Sequence, residues 1–132
     1  MCRCEVPPVL DEANIVDNPK IVVNRTVLLE CPVSGVPAPR VRWLKDGRPL
    51  EEGGGRARVR LLSGGRRVQI RRAAVDDAAR YTCIAVNDAG QLRRDYDLEV
   101  LGMVWYTRVF NVGTSASALS VNRFIWLVNL SY

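Results

Sequence analysis

Two cysteines, Cys31 and Cys83, stand on separate β-prone runs, with Trp43 twelve residues after the first and Tyr81 two residues before the second. A cysteine, a tryptophan and a distant second cysteine, in that order and on short strands, are strong evidence for a fold that brings the two runs face to face across one core. The surrounding pattern agrees. From about Pro7 to Val100 the chain breaks into short β-prone runs separated by turn chemistry, as in an all-β sandwich.

The run from Thr26 to Val33 alternates, with Val27, Leu29, Cys31 and Val33 on one face and Leu28 and Glu30 on the other. Arg40 to Leu44 puts Val41 and Trp43 on one face before Asp46-Gly47 turns the chain. Two arginine-studded strands follow, with Val59 and Leu61 among Arg58 and Arg60, and Val68 and Ile70 among Arg67, Gln69 and Arg71. Gly64-Gly65 forms the hairpin between them. A second hairpin joins Arg80–Val86 to Leu92–Val100 through Asn87-Asp88-Ala89-Gly90. There Tyr96, Leu98 and Val100 point inward and Asp95, Asp97 and Glu99 outward.

A sandwich of this kind needs roughly 100 residues, so a chain of 132 residues holds one domain with overhangs. We place the domain at 7–101, an N-terminal overhang at 1–6 and an irregular, non-domain tail at 102–132, where aromatic residues recur without periodicity and Arg108 and Arg123 are the only charges. The N-terminus lacks the apolar core of a signal peptide, so upstream sequence is expected. No apolar stretch approaches the roughly 20 residues of a membrane-spanning helix.

The chain contains no histidine, which removes the commonest general base, the Ser-His and Cys-His nucleophile pairs and a favoured metal ligand. Its four cysteines form no C-x-x-C pair, so neither a zinc ribbon nor a redox motif is indicated. We expect no catalytic residues, no metal, no cofactor and no enzyme activity. All basic residues except Lys20 and Lys45 are arginine, and the net charge of +5 favours acidic partners only weakly. A nucleic-acid partner is not expected.

Further segments complete a recognisable pattern: Leu29-Glu30-Cys31, Gly35-Val36-Pro37-Ala38-Pro39, Trp43-Leu44-Lys45-Asp46-Gly47, Asp77-Ala78-Ala79-Arg80-Tyr81-Thr82-Cys83 and Ala85-Val86-Asn87-Asp88-Ala89-Gly90. Together they resemble an I-set immunoglobulin domain, a Greek-key β-sandwich. Within that set, the Pro7-Pro8 opening, the Gly-Val-Pro-Ala-Pro turn and the Asn87 hairpin are most similar to the tandem domains of hemicentins, large extracellular matrix proteins. Titin-like intracellular domains share much of the pattern. One departure is Ala79, which stands where the family usually has glycine.

The resemblance implies a disulfide between Cys31 and Cys83, the alternative being a buried reduced pair. It would close a loop of about 50 residues and stabilise the domain by roughly 2 to 4 kcal/mol. Trp43 and Tyr81 are the core hallmarks, the tyrosine hydroxyl bonding backbone a few residues upstream. Asp77 is placed to accept backbone N–H groups or a basic partner, Arg56 or Arg58. Cys2 and Cys4 lie on one side of an extended segment and are expected to be free thiols. Asn24-Arg25-Thr26 is a candidate glycosylation sequon; Asn129-Leu130-Ser131 matches the same pattern within the tail.

Arg58, Arg60, Arg67 and Arg71 should project from the solvent face of adjacent strands. Such a ladder is either a polyanion site for heparan sulfate-like glycosaminoglycan or a solvated face that keeps sheet edges from pairing with strangers. The resemblance implies a non-catalytic adhesion or spacer module of a longer extracellular protein, in contact with neighbouring immunoglobulin-like domains and other extracellular proteins. An intracellular scaffold domain and a polyanion-binding module are the alternatives.

Overall fold

The computed structural model of the chain describes residues 4–52, 58–109 and 121–129. Its strands are β1 (Val6–Leu10), β2 (Lys20–Val22), β3 (Val27–Glu30), β4 (Val33–Val36), β5 (Arg40–Lys45), β6 (Arg48–Pro49), β7 (Val59–Leu62), β8 (Arg67–Ile70), β9 (Ala79–Asn87), β10 (Gly90–Val109) and β11 (Val121–Asn129). A 3₁₀ turn, Val75–Asp77, precedes β9. Among the described residues no helix is long and apolar enough to cross a membrane.

The strands form a three-stranded sheet in the order β3-β8-β7 and a larger sheet containing β10-β9-β5-β6, with β2 parallel to β10; β1 pairs with β4. The chain moves between the sheets as it advances, from β3 to β5, back to β7 and β8, then to β9 and β10. This is the connectivity of the immunoglobulin-like Greek key anticipated from the segments above. Between β3 and β4 the single run read over Thr26–Val33 divides at Cys31-Pro32. Proline lacks the N–H that would continue a ladder.

The inward alternation is what builds the core. Val27 and Leu29 of β3 enter together with Val68 and Ile70 of β8, and Cys31 and Val33 follow as the chain passes into β4; Trp43, Tyr81, Cys83, Ala85, Tyr96, Leu98 and Val100 enter from the larger sheet. The Cys31 and Cys83 sulfurs are bonded across this core, with their Cα atoms 6.4 Å apart. Trp43 packs against Tyr96 with ring centroids 5.7 Å apart. Its indole N–H donates at 2.6 Å to the carbonyl of Gly65, in the turn between β7 and β8, and so pins one sheet to the other. Gly65 has φ +87°, and a Cβ there would lie 3.1 Å from the Val41 carbonyl oxygen, so a side chain at this position is opposed by both backbone and neighbour.

The tail differs from expectation. Instead of an irregular segment after residue 101, β10 continues to Val109 and pairs antiparallel with β11 from Leu101↔Asn129 to Val109↔Val121. The two runs are rich in valine and aromatic residues, which suit a pleated strand. Pairing with each other supplies order that alternation within either run does not signal.

Candidate functional site

The corner leading into β9 is assembled from local chain and one distant strand. The 3₁₀ turn carries Asp77 into the protein, where it is 4% exposed. Its carboxylate accepts the N–H of Ala74 at 2.7 Å and the guanidinium of Arg58 at 2.8 Å. Arg58 also donates to the carbonyl of Arg72. Tyr81, 1% exposed, donates its hydroxyl at 2.7 Å to the carbonyl of Asp77, four residues upstream. Burial, reinforced by the nearby Asp77 charge, pushes the Tyr81 hydroxyl well above its ordinary range, so the neutral donor is the stable form. Of the two arginines expected to partner Asp77, Arg58 does so; Arg56 lies outside the described residues.

The four arginines of the ladder are all exposed, but they are not equivalent. Arg58 is turned to the corner, and Arg67 pairs with Glu30 on neighbouring β3 at 3.1 Å. Arg60 stands opposite Gln69 on the outer face, and Arg71 follows β8, its N–H bonded to the Arg58 carbonyl. Asn24 is exposed in the turn between β2 and β3, with φ 68° and its N–H bonded to the Ala73 carbonyl. Cys4 is an exposed free thiol, and Cys2 lies outside the described residues. Asn129 is the last residue of β11, and Ser131 of its sequon lies outside the described residues.

Two residues that organise the surface gave little sign in the sequence. Asn87 ties one pole of the sandwich together: its amide nitrogen donates to the carbonyls of Val6 and Pro37, and its oxygen accepts the N–H groups of Ala89 and Gly90. Gly35 leaves room for this hub, since a Cβ there would lie 2.9 Å from the Asn87 amide nitrogen. Arg94 occupies an inward register position opposite Cys83, yet keeps its charge at the sheet edge by pairing with Glu12 and Asp17. The hydrogen bond to Asp17, then the nearby carboxylate charges, hold its guanidinium firmly protonated. A charge interrupting the inward series Leu92, Tyr96 and Leu98 was the available signal.

Comparison with known proteins resolves what this scaffold is. The immunoglobulin I-set domain model matches residues 13–100. The chain belongs to the I-set immunoglobulin family. Hemicentin-1 of Mus musculus is 42% identical over 97 residues, 74% of this chain but 2% of the relative. The solved structure of Drosophila OTK extracellular domains 3–5 resembles it with a TM-score of 0.64 at 33% identity, covering 73% of this chain and 32% of that one. The titin M3 domain does so with a TM-score of 0.62 at 28% identity, covering 72% of this chain and 97% of that one. The I-set domain thus spans only a small part of its hemicentin relatives, and its pattern occurs in extracellular and titin domains alike.

Proposed function

We propose that this I-set domain is a non-catalytic adhesion or spacer module of a longer extracellular, matrix-type protein, acting through contacts with neighbouring immunoglobulin-like domains and other proteins. The observation that carries the reading is the Cys31–Cys83 bond through the core, joined to hemicentin relatedness. Such a bond persists in oxidising compartments and is rare in the cytosol. Non-reducing peptide mapping of the secreted protein tests it. A linked peptide pair containing Cys31 and Cys83 is expected; recovery of both as free thiols favours the intracellular scaffold reading instead.

Asn24 supports the same location, because an exposed turn is where a glycan can be attached without entering the core. The glycosaminoglycan alternative draws on the ladder of Arg58, Arg60, Arg67 and Arg71, of which Arg58 and Arg67 already hold carboxylates. We favour protein contact as the principal activity.

A further inference from the structure

We propose that the outer face of the larger sheet, around Arg40, Arg42 and Arg93, is the docking surface for a protein partner that presents carboxylates around an apolar side chain. The inference rests on the interaction-module reading and names the surface and the chemistry of its partner. Because Trp43, Cys83 and Tyr96 point into the core, the alternate positions of β5, β9 and β10 point out. The register sets Arg40, Val86 and Gln91 in one cross-strand row and Arg42, Ile84 and Arg93 in the next; Leu44, Thr82 and Asp95 follow.

The centre of this face is apolar and its margin is cationic. Val86 is 38% exposed, whereas Ile84 faces outward yet is only 5% exposed. Its register neighbours Arg42 and Arg93 carry methylene stems that can take it from water while their charged ends stay wet. Arg40 and Arg42 lie about 7 Å apart along β5, and Arg42 and Arg93 about 10 Å apart across two strand spacings.

Charge pairing distinguishes this face from the arginines of the other sheet. There, Arg58 holds Asp77 and Arg67 holds Glu30. Here, Arg80 pairs with Asp97 at 2.8 Å and Arg93 with Asp95 at 3.5 Å, but among the described residues no carboxylate lies within ion-pairing distance of Arg40 or Arg42. Two guanidiniums beside an exposed valine complement paired carboxylates beside an apolar group. A sulfated polysaccharide fits less well. It gains little from Val86, and along the sheet it meets Asp95, whose carboxylate is kept ionised to unusually low pH by the Thr82 hydroxyl and then Arg93.

The test is nuclear magnetic resonance of the full chain, disulfide intact, titrated with three probes: a capped Glu-Val-Glu-Val-Glu peptide, its Gln-Val-Gln-Val-Gln counterpart and a heparin oligosaccharide. The acidic peptide is expected to move amide resonances of residues 40–44, 84–86 and 91–93, less as salt rises, while the neutral peptide does not. Arg40→Glu with Arg42→Glu should weaken acidic-peptide binding at least ~10-fold. Arg25→Glu with Arg71→Glu, the same charge change beyond the other sheet, should leave it within about two-fold, since exposed charges that far away are screened. Undiminished binding by the first variant, shifts confined to β7 and β8, a response of this face to heparin but not to the peptide, or no shifts at all would each overturn the assignment. Any of these with a linked Cys31–Cys83 peptide leaves the module reading standing; free thiols in secreted material overturn that reading whatever the peptide does.

Discussion

At the scale of single residues, the corner around Tyr81 shows how one hydroxyl and one carboxylate set a chain crossing. Replacing Tyr81 with phenylalanine keeps the ring packing but orphans the Asp77 carbonyl at 2.7 Å, and urea unfolding is expected to show a loss of about 1–2 kcal/mol. Arg58→Ala removes the guanidinium from a carboxylate with a side chain only 5% exposed. Because Arg58 itself is half-exposed, the expected cost is about 2 kcal/mol, below that of breaking a fully buried pair. Arg71→Ala, measured in the same way, should change stability by less than about 0.5 kcal/mol. The four ladder arginines look alike in sequence because alternation reports only which face a residue occupies. Which of them finds a carboxylate depends on where Asp77 and Glu30 lie in space.

At the scale of elements, the β9–β10 hairpin, the Val36-Pro37 turn and the start of β1 converge on Asn87. Its side chain bonds Val6, 81 residues away, and Pro37, 50 residues away, while its oxygen holds the hairpin N–H groups. Asn87→Ala should therefore loosen three elements together. Hydrogen exchange of the Ala89 and Gly90 amides is expected to accelerate, with little change at the Cys83 amide in the core, because local opening does not require global unfolding. Retention of full protection at Ala89 and Gly90 would show that the hairpin closes without this hub. The hairpin was readable from Asn-Asp-Ala-Gly, a local turn signal. The attachment of β1 to the same asparagine was not, since nothing within a short window refers to residues so distant.

At the scale of the whole molecule, the buried tyrosines make stability sensitive to alkali. Tyr81 and Tyr96 are both raised above the ordinary 10.0 by burial. The unfolded chain therefore loses these protons first as pH rises, binding fewer protons than the folded one above about pH 10. Stability is expected to be fully present below that pH and to fall as pH rises beyond it, with the urea midpoint declining and Tyr81→Phe showing a shallower decline. Among the described residues the core ends at Val100, so we propose that a chain ending at Gly102 folds alone; its urea midpoint should match that of the full chain, and a clear drop would place the β10–β11 pairing within the stabilising structure. By itself the sequence determined the sandwich, because the inward alternation of Val27, Leu29 and Cys31, or of Tyr96, Leu98 and Val100, is a local record of which side meets water. It also marked Cys31, Trp43 and Cys83 as partners across that core. The sequence offered Arg56 or Arg58 for Asp77 and the structure shows Arg58 in place; the tertiary structure alone decided the edge pairing of Arg94 with Glu12 and Asp17, the Asn87 hub, and the unpaired state of Arg40 and Arg42 among the described residues. Electrostatic and hydrogen-bond partners are selected by distances of a few ångströms between residues far apart in the chain, and those distances exist only once the two sheets have closed.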